Sequence, residues 1–134
     1  MARILVIEEK QETGNDWINP LLDQGHQVIP QPSGKKALVW LRENRIDLII
    51  TPILMPDMDG LELILEIIRN HPQTRIIAIS GDGAWFSGQQ LLTTARELGA
   101  HDTLAKPVEP TQLLEAVTRV LHSKGGNQTQ SLSI

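Results

Sequence analysis

Three short stretches of this chain are apolar at consecutive positions: Ile4-Leu5-Val6-Ile7, Leu48-Ile49-Ile50 and Ile76-Ile77-Ala78-Ile79. A strand with one face in water alternates apolar and polar residues. An uninterrupted, largely β-branched run of this length instead suits a parallel strand covered on both faces. Gln27-Val28-Ile29 and Thr103-Leu104-Ala105 are weaker runs of the same kind. Between the runs the period changes. Ala37, Leu38 and Leu41 line one face of a segment from about residue 33 to 44. Leu61, Ile64, Leu65 and Ile68 repeat at the i, i+3, i+4, i+7 spacing of an amphipathic helix, as do Leu91, Leu92, Ala95 and Leu98 ahead of a terminating Gly99. In the last helical pattern Glu109 is the expected cap, Pro110 suits the first turn, and Leu113, Leu114, Val117, Val120 and Leu121 form the apolar face. After the first run the pattern is least regular. Gly14 and Asn15 are poor helix formers, and Pro20 would break a helix interior. The expectation there is a shortened helix restarting with Asn19 as cap and Pro20 in its first turn. Five strands alternating with five helices specify an α/β domain: a parallel sheet covered on both faces, with right-handed crossovers.

A chain of 134 residues fits one such domain. The absence of cysteine excludes disulfides, thiolate zinc sites and cysteine nucleophiles. The net charge is −4, and no basic stretch marks a nucleic-acid surface. No apolar run approaches the ~18 residues of a membrane span, and the N-terminal run reaches Glu8 too soon for a signal peptide. The expectation is a soluble, cytoplasmic protein with no nucleic-acid or membrane partner. The apolar pattern stops after Leu121, so residues 1–122 are the expected domain and residues 123–134, polar and glycine-rich, a flexible tail.

Parallel α/β sheets bind ligands beyond the carboxyl ends of their strands. Glu8 and Glu9 follow the first run, and Thr51, Pro52 and the stretch Met55-Pro56-Asp57-Met58-Asp59-Gly60 follow the third. Ser80 ends the fourth run, and Lys106-Pro107 follows the fifth. Taken together, at this spacing, these pieces resemble the receiver domain of two-component response regulators, the CheY-like family, over about residues 2–122. The resemblance implies a flavodoxin-like (βα)5 three-layer sandwich with strand order 2-1-3-4-5. It further implies a magnesium-binding acidic pair at Glu8 and Glu9, a phosphate-binding hydroxyl at Ser80 and a phosphate-pairing cation at Lys106.

The chain departs from that pattern where it matters most. The resemblance puts the phosphate-accepting aspartate at position 52, and the residue there is Pro52. Proline has no nucleophilic atom, whereas phosphoryl transfer needs an in-line nucleophile and a cation to spread charge. Proline also removes a metal ligand, so Glu8 and Glu9 should attract Mg2+ only weakly, and no cofactor is required. Thr103 stands at the family's aromatic switch position and cannot act there by bulk. With no acceptor carboxylate, Lys106 is expected to pair with Glu8 or Glu9.

Other residues admit plainer roles. Asp57 and Asp59 read as loop and helix-cap residues, His26, His71, His101 and His122 as structural or surface histidines, and Trp17 and Trp40 as packing residues. Trp85 and Phe86, between Gly83 and Gly88, suit either a partner surface or a lid over the pocket. The leading expectation is a stand-alone, phosphorylation-independent receiver, not an enzyme, acting through contacts with a sensor kinase, a downstream effector or a second copy of itself. The homodimer would use the face of the fourth helix, fifth strand and fifth helix. A decoy or docking partner for a sensor histidine kinase is the alternative. A small-molecule sensor using the strand-end crevice is a weaker reading, because no nucleophile–base pair or glycine-rich phosphate loop follows the first strand.

Overall fold

The computed structural model describes residues 1–8, 17–55, 57–81 and 88–123. The strands are β1 (Arg3–Ile7), β2 (Gln27–Gln31), β3 (Leu48–Pro52), β4 (Arg75–Ser80) and β5 (Asp102–Ala105). The helices are α1 (Ile18–Asp23), α2 (Gly34–Leu41), α3 (Gly60–Asn70), α4 (Gly88–Leu98) and α5 (Pro110–His122). All strand pairs are parallel, in the order β2-β1-β3-β4-β5, as the alternating pattern and the resemblance implied.

The consecutive apolar runs divide their side chains between two cores. Leu5, Ile7, Ile49, Ile76 and Ala78 point to the face covered by α2, α3 and α4. Ile4, Val6, Leu48, Ile50, Ile77 and Ile79 point to the face covered by α1 and α5. This is the period of two acting on strands that are wet on neither face.

Local signals set most helix ends. The Ser33 hydroxyl accepts the Lys36 N–H at 3.2 Å, and the Asp59 carboxylate accepts the Leu61 N–H at 2.9 Å. The Glu109 N–H donates to Gln112 Oε1 at 3.3 Å, with Pro110 opening α5. Gly99 ends α4 at φ +125°, where an added Cβ would stand 2.1 Å from Ile68 Cδ1. Two expectations need correction. α2 stops at Leu41, short of residue 44, and the Asn44 side chain instead turns back to donate to the Trp40 carbonyl at 2.9 Å. The residue capping α1 is Trp17, not Asn19, and it makes no side-chain cap bond. Pro20 nevertheless sits in the first turn, where its missing N–H has no intrahelical partner to lose.

Candidate functional site

The carboxyl ends of β1, β3, β4 and β5 lie along one edge of the sheet. Register sets Pro52 opposite Ile79 and Ser80 opposite Ala105. The Lys106 N–H donates to the Ser80 carbonyl at 2.9 Å, so these two residues are joined through the main chain. Glu8 follows β1 directly, its N–H bonded to the Gln31 carbonyl at 2.9 Å. Glu9, Trp85 and Phe86 lie outside the described residues.

Pro52 fits its strand for a reason visible in the ladder. Successive residues of a parallel strand donate to opposite neighbours. The Ile53 N–H donates to the Ile79 carbonyl on the β4 side at 3.0 Å, so position 52 belongs to the β1 side. There the paired register already ends at Val6 and Ile50. The proline therefore removes a donor where the ladder has run out. Thr51, fully buried, donates from Oγ1 to the Pro52 carbonyl at 2.9 Å.

Around Pro52 the polar groups are unequally exposed. Ser80 is buried, and its hydroxyl donates to the Gly81 carbonyl at 3.0 Å. Glu8 is buried, and desolvation pushes its carboxyl above the ordinary glutamate value. Lys106 is exposed, and its Nζ lies 6.0 Å from the centroid of the Trp17 ring. The expected Lys106–Glu8 ion pair is not formed: among the described residues the ion pairs are Arg96–Asp102 and Arg119–Asp102. The glutamate carboxyl is buried at the end of its strand, while the ammonium stands over an indole. The Glu9 half of that expectation lies outside the described residues.

Both loop aspartates serve helix N-termini. Asp59 caps α3, and Asp57 Oδ2 accepts the Lys35 N–H in the first turn of α2 at 3.0 Å. Thr103 is half-buried on β5 and accepts from Arg96 Nη2 at 2.7 Å. Asp102 accepts the Thr103 N–H at 2.8 Å and pairs with Arg96 at 3.6 Å and Arg119 at 2.5 Å. This cluster ties α4, β5 and α5 together. The short Thr103 side chain lines a groove of about 270 Å³ with Leu92, Thr93, Arg96 and Glu97. Sequence reasoning missed the cluster because each member looks like an ordinary surface charge. It also took Trp17 only as a packing residue, since nothing local places it near Lys106.

Of the expected magnesium ligands, Glu8 is described and Glu9 lies outside the described residues. Magnesium demands several hard oxygen ligands in near-octahedral order. Position 52 offers no side-chain oxygen, and among the described residues no group of three or more acids and histidines is placed to hold a metal.

A family model described as the response regulator receiver domain matches residues 4–118. The chain is 32% identical, over 91% of its length, to the DNA-binding transcriptional regulator NtrC of Azospirillum brasilense, and covers 24% of that protein. It is 30% identical, over 90% of its length, to the chemotaxis protein CheY of Bacillus subtilis, and covers 98% of it. Among solved structures, the receiver domain of NtrX from Brucella abortus superposes with a TM-score of 0.81 at 26% identity, covering 90% of this chain and 99% of that one. The chain thus spans about a quarter of the NtrC regulator and nearly all of CheY.

Proposed function

The chain belongs to the response regulator receiver domain family of two-component signalling, and from that premise we propose that it signals without accepting phosphate, through protein contacts. The observation that carries this reading is Pro52 at the carboxyl end of β3, on the same sheet edge as Ser80 and Lys106. A phosphoryl group needs a nucleophile at the point where the cation and hydroxyl converge. Here that point is a saturated ring. The surrounding scaffold persists, so the domain keeps its shape and loses its chemistry. Magnesium binds weakly, and the domain catalyses no reaction of its own.

Its output surface is the face of α4, β5 and α5, the elements that follow Trp85 and Phe86 in the sequence. The Arg96–Asp102–Arg119 cluster ties the three elements of that face together. Its partners are signalling proteins, a sensor kinase or a downstream effector, or a second copy of the chain through the same face. The test is incubation with acetyl phosphate and Mg2+, followed by intact mass measurement. The mass should be unchanged. A stable phosphoryl adduct on any acidic side chain would sink the proposal. Affinity capture from the native cell then assigns the role. Recovery of a histidine kinase makes the protein a docking partner that occupies the kinase, and recovery of other proteins alone makes it a fixed-state effector module.

A further inference from the structure

We infer that Trp17 is part of this site, and that its indole seats the Lys106 ammonium. The inference deepens the phosphate-independent reading and rests on it only for its consequence. Lys106 Nζ stands 6.0 Å from the Trp17 ring centroid, within the range over which the negative face of an aromatic ring attracts a cation. Tryptophan is the strongest such partner among the aromatic side chains. Both ends of the contact are anchored. Trp17 is half-buried at the start of α1, packed against the core cluster that α1 and α5 share. Lys106 leaves β5 with its N–H bonded to the Ser80 carbonyl.

The contact therefore joins the entry of α1 to the loop after β5, across the edge of the sheet where Pro52 and Ser80 end their strands. Glu8 forms no ion pair with Lys106; the ion pairs among the described residues are those of Asp102 with Arg96 and Arg119. Position 52 has no charge to compete with. A lysine with no carboxylate at position 52, two strands away in the sheet, would ordinarily sample many rotamers. Seated on an indole it keeps one position, with no phosphate required. Trp17 is in this sense a positioning residue for the loop that leads into α5.

The experiment is NMR of the lysine ε-methylene groups in the full isotope-labelled chain, without phosphate donor or Mg2+, with Lys106 assigned by Lys106→Arg. Protons over the face of an indole move upfield. The Lys106 resonances should lie upfield of those from Lys10, Lys35, Lys36 and Lys124. Trp17→Leu should abolish the displacement and Trp17→Phe should retain part of it. In the reciprocal measurement, Lys106→Met should shift the Trp17 indole N–H. Lys106 resonances coincident with the other lysines, or a displacement that survives Trp17→Leu, would overturn the inference. If Trp17→Leu does not fold, Trp17→Phe and Lys106→Met decide, because the latter removes the charge and leaves the ring in place. The outcomes separate from those of the parent reading. A phosphoryl adduct with the upfield displacement intact overturns phosphate independence alone, and a missing displacement with no adduct overturns the Trp17 contact alone.

Discussion

The Gly60 N–H donates to the Ile53 carbonyl at 2.8 Å, and a Cβ at Gly60 would stand 2.4 Å from that same oxygen and 2.7 Å from the Pro52 carbonyl. The loop after β3 is thus closed by a main-chain bond that only glycine permits, and the closure fixes where Pro52 and the start of α3 sit. Gly60→Ala forces the two backbones apart. It should destabilise the fold by about 1–3 kcal/mol, the range typical of overpacking. A lowered urea midpoint with an unchanged slope would show it. A midpoint equal to that of the unaltered chain would contradict this account of the loop.

Placing a carboxylate at position 52 tests the proposal that its absence there prevents phosphorylation. Pro52→Asp places an acid at the carboxyl end of β3, on the strand edge that carries Ser80 and Lys106. The variant should gain a phosphoryl adduct with acetyl phosphate and Mg2+, and should bind Mg2+ more tightly than the unaltered chain. Pro52→Asn, which has no ionised oxygen, should gain neither. Intact mass and calorimetric titration read the two effects. An inert Pro52→Asp variant would mean that the rest of the pocket has also lost competence.

Two histidines should make the fold sensitive to acid. His101 Nδ1 accepts the Ile76 N–H at 3.1 Å, and His26 Nδ1 accepts the Ala2 N–H at 3.1 Å. Both bonds require a neutral ring nitrogen. Burial, then the charge of Arg75, lowers the pKa of His101 below its ordinary 6.5. Burial, then the N-terminal amine, lowers that of His26. A folded-state pKa below the unfolded one means that the unfolded chain binds protons more readily. The associated stability is present above about 6.5 and is lost as the pH falls through the folded values. NMR titration should find both rings titrating below 6.5, and the urea midpoint should fall on acidification through that window.

Glu8 has the opposite sign. Its pKa is raised above 4.5 by burial. The folded state therefore holds the proton longer than the unfolded one, and the favourable contribution present below 4.5 is lost as the pH rises through the folded value. Glu8→Gln is neutral at every pH and escapes that loss. The variant should be more stable than the unaltered chain near neutral pH, with the advantage shrinking as the pH approaches 4.5. Paired denaturation curves at neutral and acidic pH check it. An advantage independent of pH would remove ionisation as the cause.

The fold was legible because its signals are local. Ile4-Leu5-Val6-Ile7 reads as a doubly covered strand from four consecutive residues, and Glu109-Pro110 and Gly99 mark helix ends within a turn. Trp17 shows the limit of such reading. Asn19 is the better intrinsic cap, yet the helix starts two residues earlier, because packing of Trp17 against the α1–α5 core outweighs the cap's preference. Asp57 was recognisable as a loop acid, whereas its bond to the Lys35 amide depends on how two crossovers pass each other.

By itself the sequence determined the α/β class and set Glu8, Pro52, Ser80 and Lys106 at or just after the strand ends. These follow from side-chain chemistry and from periods of two and 3.6 residues, which are properties of neighbours along the chain. Only the tertiary structure decided which partner each charge takes. Lys106 makes no ion pair with Glu8, one of its two expected partners, and stands over Trp17, while Asp102 gathers Arg96 and Arg119. Pairing across the fold depends on burial and on the angles at which elements leave the sheet. Glu8 ends β1 and Lys106 follows β5, with β3 and β4 between them in the sheet, whereas Lys106 Nζ stands 6.0 Å from the Trp17 ring centroid.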